Sequence, residues 1–62
     1  MSAQLEPFEL DMLIYEQLCK EHAKPYSEDK AEDYAMCVAS RIIDGGQSEE
    51  TARMGAWNEF NR

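Results

Sequence analysis

Few residues in this chain of 62 could do chemistry: two cysteines, one histidine and a set of carboxylates. Cys19 and His22 stand three positions apart, which puts both on one side of a helix, and Cys37 follows further along. Two thiolates and an imidazole suit zinc, but a structural zinc site takes four ligands, commonly as two close pairs. This chain offers one pair, so no metal site and no cofactor is expected. A packed cysteine and a histidine at the end of a helix, favoured there by the dipole when protonated, explain the spacing without chemistry.

Acid–base catalysis fares no better. The carboxylate on the histidine's helical face, Asp11, lies about 16 Å away along the axis at 1.5 Å per residue. Those two groups cannot meet within one monomer. No strand leads into a glycine-rich phosphate loop, and so short a chain does not enclose a ligand pocket of roughly several hundred Å³. The expectation is a protein that is not an enzyme, with no catalytic residues.

The remaining candidates are carboxylates. Glu28, Asp29, Glu32 and Asp33 cluster ahead of a helical pattern, with Asp44, Glu49 and Glu50 near a later loop. Acidic residues at a helix start are favoured by the dipole, and a solvated helix end explains them structurally. The functional reading is a rigid carboxylate array that imitates DNA phosphates or steers docking onto a basic patch.

The elements that must position these groups are helices. Pro7 suits a first turn, and the run from Pro7 to Ala23 places Phe8, Met12, Ile14, Tyr15, Leu18, Cys19 and Ala23 in one arc. Leu10 and Leu13 fall outside that arc. Pro25 stops the helix, because the residue before a proline is driven from helical geometry. Ser27 then reads as an N-cap, followed by a helix over Glu28 to Asp44 that Gly45 or Gly46 ends. Ala31, Ala35 and Ala39 form a strip of minimal bulk along it, against which another helix can lie closely.

Met36 and Ile43 share the back of that helix, where a third helix over Glu49 to Phe60 could cover them. Ser48 with Glu49 and Glu50 signals its start, and Gly55 within it either permits a close approach or breaks it. The predicted fold is all-α: an antiparallel hairpin plus a C-terminal helix, one small domain over residues 1–62 with a flexible start over 1–6. A chain this short buries only about 60% of its unfolded surface, which makes a homodimer a natural source of further stability. Cys19 would stand about 6 Å and Cys37 about 13 Å from the hairpin turn, an offset unsuited to a disulfide.

Asp11 is the one charge inside the apolar arc. At a helix start it can remain solvated. If buried it needs a donor, for which Tyr34 and Arg41 are the candidates, and an Asp11–Arg41 pair between chains would set a dimer register.

Charge narrows the partners. Thirteen acidic against six basic residues leave a formal net charge of -7 and a pI of about 4.4. Phosphate backbones and anionic membranes are bound by lysine and arginine, so direct nucleic-acid binding and membrane binding are disfavoured and a basic protein partner is favoured. No apolar run approaches the roughly 20 residues of a membrane span, and no leader pattern opens the chain, which points to a cytoplasmic protein. The segment from Gly46 to Gly55 resembles the opening of a helix-turn-helix, but only Ala56 to Arg62 would remain for the recognition helix.

The leading expectation is therefore a small acidic interaction module, a regulator or inhibitor of the phage or plasmid accessory type. Leu10, Leu13, Met36, Met54 and Trp57 are its expected apolar anchors, and Glu28, Asp29, Glu32 and Asp33 its charged contacts. The alternative is a DNA-associated or transcription-regulatory accessory protein using the helix-turn-helix-like segment.

Overall fold

A computed structural model of the chain describes residues 6–61 and shows three helices: α1 (Pro7–Glu21), α2 (Glu28–Ile43) and α3 (Glu49–Phe60). The expected flexible start falls almost wholly on residues 1–5, outside the described part. Pro7 occupies the first turn of α1 after an extended Glu6, where its missing N–H is no loss.

The end of α1 comes two residues earlier than expected. The Lys24 N–H donates to the Cys19 carbonyl at 2.8 Å and the Ala23 N–H to the Lys20 carbonyl at 3.4 Å. This is a Schellman closure, and it holds Ala23 at φ 54°, the left-handed position that usually selects glycine. Ala23 is thus the residue that reverses the chain and no part of the core face.

Ser27 does stand at the N-cap of α2, yet its side chain makes no capping hydrogen bond. Ser48 does make one: its Oγ accepts from the Thr51 N–H at 3.3 Å and lies 3.0 Å from the Thr51 hydroxyl. Gly46, at φ 65°, supplies the left-handed stop after α2.

The contacts run in opposite directions along α1 and α2. Phe8 and Asp11, at the start of α1, line a groove with Ala35, Ala39 and Ile42, whereas Tyr15 meets Tyr34 and Cys19 reaches Pro25 in the connecting turn. Those two helices form the antiparallel hairpin, and α3 packs on it with Ala52 and Ala56 inward. Ala31 and Ala35 are buried and Ala39 half-buried, so the small-residue strip faces the interior as its spacing predicts.

With alanines lining α2 and α3, phenol rings fill much of the interior. Tyr34 is fully buried, and its ring centroid lies 5.2 Å from that of Tyr15. Trp57 and Phe60 of α3 meet Tyr15 edge-on at 5.8 and 6.3 Å, a favoured aromatic arrangement. The Tyr34 hydroxyl donates to the Arg53 carbonyl at 3.4 Å. Burial first, and then the nearby Asp11 carboxylate, push the Tyr34 phenol up to about 12, with Arg53 opposing.

Several apolar residues sit elsewhere than expected. Met36 and Ile43 are 60% and 79% exposed, because α3 lies over the side of α2 that carries Tyr34, Cys37 and Arg41. Phe8 remains 39% exposed at the first turn of α1.

Asp11 is buried, and its partner is neither Tyr34 nor Arg41. Arg53 Nε donates to Asp11 Oδ1 at 2.9 Å, joining α3 to α1 within one chain. Arg41 pairs instead with Glu59 at 2.7 Å, so both residues of the expected interchain pair have partners within one chain.

Gly55 lies within a continuous α3. A β-carbon there would come within 2.7 Å of Arg41 Nη1, so the glycine makes room for that guanidinium. The turn that a helix-turn-helix needs at this glycine is absent.

Candidate functional site

One acidic and apolar surface of the described residues runs along α1. Glu9, Met12, Leu13 and Glu16 follow the spacing i, i+3, i+4, i+7, which stacks them into one stripe on a helix. A carboxylate stands at each end of the stripe, and two apolar side chains lie between. The left-handed Ala23 and then Pro25 swing the chain so that Tyr26 and Glu28 form the opposing wall. Together these six residues line an open groove of about 290 Å³.

Among the described residues no lysine or arginine lines this groove. Lys20 approaches Glu16 only to 3.8 Å from the next turn, with its side chain 71% exposed, a contact worth little in water. The Tyr26 phenol stands above its ordinary value, through partial desolvation and then the Glu16 and Glu28 carboxylates. It remains a neutral hydrogen-bond donor across the physiological range.

A second groove, about 270 Å³, lies between α1 and α3 and is lined by Ile14, Leu18, Glu50, Arg53, Met54 and Trp57. Of the anchors expected from sequence, the structure thus brings Leu13 to Glu28 in the first groove and Met54 to Trp57 in the second. Leu10 and Met36 are exposed but line neither. Asp29, Glu32 and Asp33 are exposed on α2 outside the first groove.

Glu9, Met12, Glu16 and Tyr26 escaped the reading of the sequence. The signal for the first three was present in their spacing, although Met12 also belongs to the apolar arc of α1. Nothing local announces Tyr26, because its position depends on the conformation of Ala23.

The groups that could do chemistry are otherwise engaged. Cys19 is 1% exposed with its thiol turned toward the Pro25 carbonyl at 3.8 Å, and the His22 ring packs 5.2 Å from Trp57. Cys37 Sγ lies 3.9 Å from Glu59 Oε2 across the α2–α3 contact, and both cysteines are free thiols. Among the described residues no three His, Cys, Asp or Glu side chains gather as a metal site, and no helix is long and apolar enough to cross a membrane.

The arrangement suits noncovalent recognition: an apolar floor, a rim of like charge and a phenol donor. No protein-family model, curated protein or solved structure matches this chain.

Proposed function

We propose that the chain is a non-catalytic interaction module that regulates or inhibits a protein with a basic surface, in the manner of phage- or plasmid-borne acidic accessory proteins that imitate DNA. One observation carries the reading. Glu28, Asp29, Glu32 and Asp33 are all exposed in the first turns of α2, and among the described residues none of them is in an ion pair.

Dipole contacts favour acidic residues in a first turn, but Glu28 with Glu32 and Asp29 with Asp33 are like-charge pairs at spacing four. Each such pair destabilises a helix by about 0.2–0.5 kcal/mol. A helix start selected for stability alone has no need of both. Facing a cationic surface the same array becomes favourable, and it speeds encounter at low salt.

The test is affinity capture with the wild-type protein beside a variant carrying Glu28→Gln, Asp29→Asn, Glu32→Gln and Asp33→Asn. A captured basic protein that the variant loses and that duplex DNA displaces supports the mimic. Salt-sensitive binding of this chain itself to duplex DNA, with no captured protein, would replace it with the DNA-associated alternative. Self-association forms part of the proposal, motivated by exposed Phe8, Leu10, Met36 and Ile43, outside the groove along α1. Sedimentation equilibrium checks it, and a monomer mass at high concentration removes it.

A further inference from the structure

The groove along α1 specifies its occupant more closely than charge alone does. Glu9 and Glu16 are seven residues apart, so their α-carbons stand about 10 Å apart along the axis at 1.5 Å per residue. Two turns of a neighbouring helix span the same length, and side chains at i and i+7 of that helix project from one face. Between the carboxylates lie Met12 and Leu13, the latter 49% exposed, and Glu28 adds a third negative charge from the far wall.

We propose that this groove receives one amphipathic helix of a partner protein, laid along α1, with two lysines or arginines about two turns apart on Glu9 and Glu16 and an apolar side chain between them on Met12 and Leu13. The assignment rests on the interaction-module reading and names its partner element. Charge complementarity carries it: among the described residues, three carboxylates and no cation line the groove. A second copy presenting this same stripe fits poorly, because carboxylate would meet carboxylate.

The probes are two synthetic helical peptides of identical composition. In the first, arginines at i and i+7 bracket a leucine on one face; in the second, the same arginines are moved to opposite faces. Binding is read by fluorescence anisotropy at low salt, with circular dichroism confirming that each protein variant is folded. The first peptide is expected to bind wild type about fivefold more tightly than the second.

Glu9→Gln with Glu16→Gln should weaken the first peptide about fivefold, as the sum of two exposed ion pairs. Leu13→Asn should weaken it about tenfold through lost apolar burial. Asp29→Asn with Asp33→Asn, outside the groove, should change it less than about twofold because those charges are screened. Equal affinity for the two peptides, no binding of either, or an equal loss from the Asp29 and Asp33 pair overturns the groove assignment. None of these results touches the captured-protein test of the acidic surface. A concentration-dependent mass abolished by Leu13→Asn would give the groove to self-association and also overturn the assignment.

Discussion

Replacing Arg53 with methionine removes the only cation among the described residues that reaches the buried Asp11 carboxylate, and keeps most of the aliphatic stem. The Asp11 side chain is 8% exposed and that of Arg53 24%, with 2.9 Å between the bonded atoms. Stranding a charge in a buried pair destabilises by about 3–5 kcal/mol, and the partial exposure of Arg53 lowers the expectation to about 2–4 kcal/mol. A folded chain of 62 residues at ~0.05–0.15 kcal/mol per residue has only about 3–9 kcal/mol in all. Arg53→Met should therefore remove a large share of the stability.

Urea denaturation followed by far-UV circular dichroism reads the effect. With a slope of about 1 kcal/mol per M, suited to so small a protein, the midpoint should fall by about 2–4 M or folding should be lost. The companion double variant, Asp11→Leu with Arg53→Met, leaves no stranded charge and should recover to within about 1 kcal/mol of wild type. An Arg53→Met protein within about 0.5 kcal/mol of wild type, or a double variant worse than the single one, would refute the claim that the pair is buried and mutually dependent.

Tyr34 makes stability sensitive to alkali. With its phenol raised from 10.0 to about 12, the folded and unfolded states bind the same proton below pH 10, and above it the unfolded chain ionises first. Stability should drop by at most about 2–3 kcal/mol between those values, and Tyr34→Phe should flatten much of that slope in urea titrations across the range. Gly55→Ala, which in an open helix gains about 1 kcal/mol, should gain nothing here because its β-carbon meets Arg41 Nη1 at 2.7 Å. In an Arg41→Ala background the gain should return, and a thermal melt showing equal effects in both backgrounds would contradict the contact. Ala23→Gly relieves a left-handed residue and should stabilise by about 0.5–1 kcal/mol, whereas a loss in urea midpoint would show that the turn does not hold φ 54°.

Much of the fold was legible because helical periodicity is a local signal. The alanine strip faces the interior, Pro7 opens α1 and Ser48 caps α3, as their positions imply, and the three segments lie within two residues of their expected bounds. Long-range choices were not legible. Asp11 and Arg53 are forty-two positions apart, and nothing near Arg53 singles it out over Arg41, which shares the same charge and lies on a stronger helical pattern. Which side of α2 the third helix covers also depends on that pair and on the Gly55–Arg41 fit, so the exposure of Met36 and Ile43 was not legible.

The acidic array was readable from composition and position, but the groove was not. It forms only where a stripe on α1 meets residues delivered by an alanine in a conformation that sequence statistics assign to glycine. The stripe alone, half charged and half apolar, looks like the margin of an ordinary amphipathic helix.

An interior built of phenol rings behaves unlike one built of leucine. Greasy branches tolerate sliding by a fraction of a turn, since one methyl substitutes for another. Tyr34 carries an oxygen that, among the described residues, has a single acceptor across the interface, the Arg53 carbonyl. Its tether acts as a detent between the second and third helices, trading hydrophobic bulk for one permitted alignment, so the outer faces keep a constant relation to one another.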